Sequence, residues 1–307
     1  MDRQIETLFK RYLKPTRRSH YVKKEYLSLW SKDGSHILTC RDKHGLFFIP
    51  NNLCDVCVEK DMYKMELLTN EEIECVKFFY KDAPDYVKEE NDNYIKLWQM
   101  ICILSANIDN EEYRKIANKI VIQAGEDSQS ILESALDKDI KNCLLNCDES
   151  FLANENNLID FGLYLFSQYL RTQNQKDKIN KNLNTPIILN KFNGQINPNR
   201  MWKVLIMILS TTAAYTLQNR NKRNHICFIK SNKNLLLTSD QPIINIANNI
   251  NQDPAIFYHP ISPSISIIFP VDEAIIIEDD ANEINKMNEI IINNSYRMIF
   301  RYDNEDE

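Results

Sequence analysis

A carboxylate stands at the end of a short apolar run in the last third of the chain. The sequence Leu235–Thr238 predicts a buried strand, which Ser239 and Asp240 end. Pro242 disfavours helical geometry in the residue before it, so the chain leaves this strand extended. Binding and catalytic side chains are commonly held where loops leave a rigid scaffold. Asp240 and Ser239 are therefore candidate catalytic residues.

A second polar group lies on the predicted helix Leu158–Lys176. Gln168, Arg171 and Thr172 are spaced i, i+3 and i+4, so they share one face beside an apolar stripe. An arginine buried there requires an anion, because an isolated buried cation is costly. That anion is either a protein carboxylate, with Asp240 as the obvious candidate, or a ligand phosphate bound by two parallel hydrogen bonds. The first alternative is an internal clamp between helix and sheet. The second makes Gln168 and Arg171 catalytic residues.

The first 24 residues are basic, and aromatic side chains are interleaved with the basic ones. Such a run faces phosphates in some proteins and is a solvated arm in others, and the sequence leaves both alternatives open. If this arm binds nucleic acid, Lys14, Arg17 and Arg18 are candidate contacts. Tyr21, together with Thr172 of the helix, completes the set of predicted substrate-binding residues.

A histidine and a second carboxylate extend the candidate site. His20 could shuttle a proton as a catalytic residue, and Glu59 could join Asp240 in holding a divalent cation such as Mg²⁺ or Mn²⁺. Whether the site needs a metal at all stays open. Zinc is not expected, because Cys54 and Cys57 form a lone C-x-x-C without a second pair at ribbon spacing.

Composition excludes several classes of enzyme. The chain of 307 residues contains only five glycines, none close enough to another to build a phosphate-binding loop. G-x-G-x-x-G, the P-loop and G-x-S-x-G are absent, which argues against dinucleotide enzymes, P-loop NTPases and most α/β-hydrolases. The net charge of −6 argues against an open nucleic-acid coat but is compatible with a local basic cleft. No apolar run approaches the ~20 residues of a membrane span, so a cytoplasmic protein without a membrane partner is expected.

The periodicities predict an α+β fold, with a large helical middle region packed on a C-terminal, mostly antiparallel sheet. A small N-terminal β-hairpin is expected from Ile37–Cys40 and Leu46–Ile49. The three regions are 1–70, 71–220 and 221–307, which we expect to form one continuous fold. Trp202–Leu217 predicts a helix buried on all sides, and the Asn- and Pro-containing stretch 180–199 predicts a loop or hinge.

Several short segments occur in the order found in the bacterial family of domain of unknown function 4238. They span residues 19–302, and Lys23 departs from the family pattern at a position where proline is usual. The segments that resemble the family's motifs are His20-Tyr21-Val22 with Tyr26-Leu27, Val58–Tyr63, Ser167–Thr172, Leu237–Pro242 and Pro260–Pro263, followed by Asn288.

The resemblance implies no particular reaction. The polar residue types within these segments resemble a site that handles phosphoesters more than a redox or acyl-transfer site. The first hypothesis is a nuclease-like, nucleic-acid-processing effector of a bacterial conflict or phage-defence system. The second is a non-catalytic protein that binds other proteins of such a system, in which the arginine and aspartate form a structural clamp. A toxin that transfers ADP-ribosyl or nucleotidyl groups is a third alternative, although no nucleotide-binding loop is present.

Overall fold

The structure is a computed structural model, and it describes residues 12, 14–42, 46–218, 224–247 and 255–304. Its helices are α1 (Lys24–Leu27), α2 (Asn70–Phe78), α3 (Asp85–Ala106), α4 (Glu111–Ser134), α5 (Lys138–Leu145), α6 (Glu155–Leu170), α7 (Gln173–Leu183), α8 (Pro186–Lys191), α9 (Pro198–Gln218) and α10 (Ala281–Asn294). Its strands are β1 (Arg18–His20), β2 (His36–Cys40), β3 (Ile49–Asn52), β4 (Val58–Lys60), β5 (His225–Lys230), β6 (Thr238–Ser239), β7 (Ile244–Asn245), β8 (Phe257–Ser262), β9 (Ile265–Val271), β10 (Ile275–Glu278) and β11 (Ile299–Arg301).

The predicted α+β fold is confirmed. A five-stranded sheet has the order β10-β5-β9-β8-β7, in which only the β10–β5 pair is parallel. A four-stranded sheet has the order β3-β2-β11-β6, so the N-terminal hairpin pairs with C-terminal strands. Its second strand is Ile49–Asn52 and not Leu46–Ile49 as predicted. A separate two-stranded sheet joins β1 to β4. The first and last parts of the chain therefore share a sheet although they are about 260 residues apart.

Helix α9 packs a mainly apolar surface inside the helical region, but it is not buried on all sides as predicted, since Thr216 is exposed. Trp202 is fully buried and donates its indole N–H to the carbonyl of Leu170 at the end of α6. Helices α6 and α9 approach closely at Gly162, where an added Cβ would lie 3.1 Å from Ala214. A larger side chain at that position would force the two helices apart. Within the described residues no helix is long and apolar enough to cross a membrane.

The predicted helix Leu158–Lys176 is in fact two helices, and the break falls on candidate site residues. Arg171 is the C-terminal cap of α6, whereas Thr172 has an extended backbone and precedes α7. The Thr172 hydroxyl donates to the side-chain oxygen of Gln241 at 2.5 Å, which fixes the junction against the sheet region. Gln168, Arg171 and Thr172 therefore do not share the face of one continuous helix.

Two further expectations are corrected. The stretch 180–199 is not only a loop, because Pro186 begins the short helix α8, a position at which proline costs no hydrogen bond. The strand expected at Leu235–Thr238 is reduced to Thr238–Ser239. The reason is that the Asn288 side chain of α10 accepts from the Leu237 N–H and donates to the Leu235 carbonyl, both at 2.9 Å.

Asp240 connects the end of β6 to the start of β11. Its carboxylate accepts the backbone N–H groups of Tyr296 at 2.9 Å, Arg297 at 2.7 Å and Met298 at 3.1 Å. Its own N–H donates to the Met298 carbonyl at 3.0 Å. The side chain is almost fully buried, so these donors compensate the loss of water around the charge. We call this arrangement the Asp240 clamp.

Replacing Asp240 by alanine should lower the free energy of unfolding by about 3 kcal/mol or more, because the N–H groups of residues 296–298 lose a charged acceptor. Denaturation in urea would measure this loss. Asp82→Ala is the matched control, since the Asp82 side chain is 84% exposed and its removal should cost less than about 1 kcal/mol. Equal stabilities of the two variants would contradict the clamp.

Candidate functional site

The carboxylate that neutralises Arg171 belongs to Glu133 in the last turn of α4. Nη1 of Arg171 donates to Glu133, and Nη2 donates to the side-chain oxygen of Gln168. The Arg171 side chain is only 1% exposed, whereas that of Glu133 is 26% exposed. The Arg171–Asp240 pair expected from the sequence is therefore wrong. The charges of Arg171 and Asp240 are both buried. Arg171 pairs with the Glu133 side chain of α4, whereas the Asp240 carboxylate accepts backbone N–H groups.

Gln168 orients the arginine and also fixes the N-terminal segment. Its side-chain amide donates to the carbonyl of Tyr21 at 3.0 Å. Its side-chain oxygen accepts from the Lys23 N–H at 3.4 Å, besides accepting from Arg171. The segment 21–23 and the end of α6, which both resemble family motifs, are thus held together by one buried amide.

One face of α4 carries acidic and amide side chains towards Arg171. Glu126, Gln129 and Glu133 are spaced i, i+3 and i+7, which places them on the same side of the helix. The Ser19 hydroxyl of β1 donates to Glu126. Burial raises the pKa of Glu126 to about 7, and the negative charge of Glu133 acts in the same direction, while the Ser19 hydrogen bond opposes it. Glu126 is thus poised to exchange a proton near neutral pH.

His20 and Tyr63 complete this group. Burial lowers the pKa of His20, and so do the nearby positive charges of Lys24 and Arg18, while Glu133 acts in the opposite direction. Burial raises the pKa of the Tyr63 hydroxyl, which also lies within electrostatic range of Arg171 and Glu133. His20 is therefore mainly neutral and Tyr63 fully protonated around pH 7.

Four buried polar atoms in this group have no hydrogen-bond partner among the described residues. They are Nδ1 of His20, the Tyr63 hydroxyl, the side-chain oxygen of Gln129 and Nε of Arg171. Leaving one such atom unpaired costs about 1–3 kcal/mol, so native proteins pair nearly all of them. Each of these atoms calls for a water molecule or a ligand as its partner, which makes the group a candidate site. We call the group the arginine cluster, with members His20, Tyr63, Glu126, Gln129, Glu133, Gln168 and Arg171.

Two other predicted residues lie in an open cleft. Tyr21 and Glu59 line a cavity of about 660 Å³. The Tyr21 hydroxyl is hydrogen-bonded to the buried thiol of Cys57. Glu59 accepts from Nζ of Lys176 at 3.1 Å and from the amide of Gln173. We call this cavity the Tyr21 cleft. Its remaining lining residues are Arg41, Asp55, Cys57, Val58, Gln173 and Tyr296–Met298.

The basic arm contributes less free charge than its sequence indicates. Arg17 forms an ion pair with Asp61, and Arg18 forms one with Asp55 at 2.7 Å. Lys14 is exposed. Two of the three predicted phosphate contacts are thus already neutralised by neighbouring aspartates.

Ser239 and Thr172 serve the backbone and the turn that follows β6. The Ser239 hydroxyl donates to the Gln241 carbonyl at 2.9 Å and accepts from the Gln241 N–H at 3.1 Å. Both hydroxyls are fully buried. The geometry thus gives Ser239 and Thr172, like Asp240, a positioning role, because their side chains form hydrogen bonds to other groups than the side chains of the arginine cluster.

The residues predicted to hold Mg²⁺ or Mn²⁺ do not fit a metal ion. Both carboxylate oxygens of Asp240 accept backbone N–H groups, and Glu59 is bound by Lys176 and Gln173. In the part of the chain that the structure describes, no three histidine, cysteine, aspartate or glutamate side chains are grouped as a metal site.

Glu126 predicts a pH-dependent stability. Because its pKa rises from 4.5 to about 7 on folding, the folded state retains a proton that the unfolded chain has lost between these pH values. Stability should therefore fall as the pH rises from 5 to 8, by about 1–3 kcal/mol. Glu126→Gln should remove this dependence, and Glu112→Gln, an exposed position of α4, should keep it. Parallel pH profiles for all three proteins would contradict the burial of this carboxyl.

Comparison with known proteins identifies the family of the chain. The family model described as protein of unknown function, DUF4238, matches residues 18–305. A search among curated proteins found no match, and neither did a search among solved structures. The matched range includes all residues of the arginine cluster and of the Tyr21 cleft. The chain therefore belongs to the DUF4238 family of proteins of unknown function.

Proposed function

We propose that this protein is a nuclease-like enzyme that cleaves RNA at the arginine cluster by acid–base catalysis. The observation that carries the proposal is the set of four unpartnered buried polar atoms around Arg171, which lie among two titratable side chains, Glu126 and His20. We further propose that it acts in the cytoplasm as an effector of bacterial conflict or phage defence, with nucleic acid as its partner.

The two titratable groups have the protonation states that such a reaction needs. In water a glutamate ionises at lower pH than a histidine, but here burial reverses that order. At neutral pH His20 is a base with a free lone pair, and a large fraction of Glu126 is a protonated acid. Arg171 and Glu133 influence the pKa of both groups, so the ion pair lies within electrostatic range of each.

RNA supplies its own nucleophile, so the proposed step requires only proton transfers. His20 accepts the proton of the ribose 2′-hydroxyl, and the 2′-oxygen forms a bond to phosphorus. The bond between phosphorus and the 5′-oxygen breaks, and Glu126 gives its proton to the leaving 5′-oxygen. The products are a 2′,3′-cyclic phosphate and a free 5′-hydroxyl. The positive charge of the buried Arg171 guanidinium, which is held in place by Glu133 and Gln168, stabilises the negative charge that accumulates on the phosphoryl group in the transition state.

His20→Asn and Glu126→Gln should each lower the cleavage rate of RNA by about 10²–10⁴-fold, the range typical of a lost general base or acid. A fluorogenic oligoribonucleotide measures the rate, and gel analysis identifies the cyclic phosphate. Glu112→Gln is the control at an exposed site on the same helix and should keep full activity. Full activity in both cluster variants, with unchanged melting temperatures, would sink the assignment.

The activity should depend on pH in a way that identifies the acid. Catalysis by the proposed pair needs neutral His20 and protonated Glu126, so the rate should fall as the pH rises through about 7. On the acidic side the rate should persist below pH 6.5, because the pKa of His20 is lowered. The residual activity of Glu126→Gln should lack the alkaline fall. A wild-type rate that still rises between pH 7 and 9 would contradict this assignment.

A non-catalytic protein of a defence system is the second candidate. It is favoured by the observation that Gln168, Ser239 and Asp240 all form hydrogen bonds to the backbone. Under this alternative the arginine cluster is a structural clamp. Arg171→Lys should then lower the melting temperature, and the wild-type protein itself should not cleave RNA. The enzyme hypothesis instead predicts that Glu126→Gln removes activity and cell toxicity while the folded state is retained.

A further inference from the structure

We propose that the Tyr21 cleft binds a phosphorylated ligand of nucleotide size, with its phosphate between the guanidinium groups of Arg41 and Arg297. This site is separate from the arginine cluster, and its existence does not depend on the proposed cleavage of RNA. The two sites meet at Tyr21. Its side chain lines the cleft, and its carbonyl accepts a hydrogen bond from Gln168 of the arginine cluster.

The charges around the cleft leave two guanidinium groups uncompensated. Of its acidic residues, Asp55 is paired with Arg18 at 2.7 Å and Glu59 with Lys176 at 3.1 Å. Arg41 and Arg297 have no carboxylate partner among the described residues. Both are exposed at the cleft, so they can approach a ligand. Two guanidinium groups facing one cavity provide the parallel hydrogen bonds that phosphate oxygens accept.

Arg297 is already oriented before any ligand arrives. Its backbone N–H is fixed by the Asp240 carboxylate, and its Cζ lies 5.0 Å from the centre of the Tyr296 ring. The Tyr296 hydroxyl donates in turn to Asp177 of α7 at 2.7 Å, which holds the ring in place. A guanidinium oriented by its neighbours loses less conformational entropy on binding than a free one. The Asp240 clamp thus positions a binding residue.

The segments that resemble family motifs surround this cleft. Tyr21 comes from the first, Glu59 from the second, and Gln173 directly follows the third. The fourth contributes Asp240, which holds residues 296–298 against the cavity. Four of these segments thus line or support the cleft, whereas Arg41 and Arg297 come from outside them.

The shape and the lining fit a nucleotide better than a free phosphate ion. A volume of about 660 Å³ lies within the ~300–1,000 Å³ typical of small-molecule sites and far exceeds what an inorganic anion fills. The Glu59 carboxylate already accepts from Lys176 and Gln173, but its two oxygens have further lone pairs and its side chain is 34% exposed, so it can also accept from a ribose hydroxyl. Val58 and Met298 provide apolar surface against which a base can pack.

Isothermal titration calorimetry with AMP, GMP, CMP and UMP tests the proposal on the full chain. We expect at least one nucleotide to bind, and Arg41→Ala and Arg297→Ala each to weaken binding at least tenfold. Arg114→Ala, at an exposed position of α4 outside the cleft, should leave it unchanged. All variants are first shown to melt like the wild type. Adenosine and inorganic phosphate, which present only part of the ligand, should bind at least tenfold more weakly than the nucleotide.

Several results would overturn the inference. These are no detectable binding of any of the four nucleotides at about 1 mM, inorganic phosphate binding as tightly as a nucleotide, or full binding in both arginine variants. His20→Asn and Glu126→Gln separate the two proposals, because they remove catalysis but should keep this binding. If they weakened nucleotide binding tenfold while the arginine variants did not, the nucleotide would occupy the arginine cluster instead.

Discussion

The buried cation Arg171 requires hydrogen bonds and an opposite charge from the protein, and this requirement determines how the central part of the fold is assembled. The Arg171 guanidinium is removed from water, so it must receive hydrogen bonds and an opposite charge from the protein. Glu133 supplies the charge from α4, and Gln168 supplies an oxygen from α6. Because Gln168 also contacts the carbonyl of Tyr21, the same network fixes the N-terminal segment. Moving any of these elements would leave a buried charge or amide without its partner.

A buried anion, Asp240, is compensated in a different way. Asp240 is surrounded by backbone N–H donors, so its charge is satisfied locally by the turn that precedes β11. Its position links β6 to β11, and β11 in turn pairs with the N-terminal strand β2. The two buried charges therefore act independently: the cation holds helices and the N-terminal segment, and the anion holds strands.

These two networks separate residues that position the structure from residues that are available for chemistry. Ser239, Thr172 and Asp240 use their polar atoms on neighbouring protein groups. In contrast, His20 and Arg171 each retain a buried atom without a partner among the described residues. Side chains whose polar atoms are all paired and side chains that keep an unpaired atom occur within the same short sequence motifs. Only the hydrogen bonds in the folded structure distinguish the two kinds. One motif of this chain thus contains both side chains that are fully paired and side chains that keep an unpaired buried atom.

The sequence by itself determined the class of fold and the segments of interest, because apolar periodicity and turn residues act locally. The mainly apolar helix Trp202–Leu217 and the hairpin near Ile37 follow from such patterns. The partner of Arg171 was decided only by the tertiary structure. Glu133 is 38 residues away, and its selection depends on how α4 packs beside the end of α6. Glu126 and Glu133 were not among the residues predicted from the sequence. Their i, i+7 spacing was an available signal for a shared helix face, but their proximity to His20 was not. Long-range electrostatic pairing follows from the packing of whole elements, which no local pattern of residue types specifies.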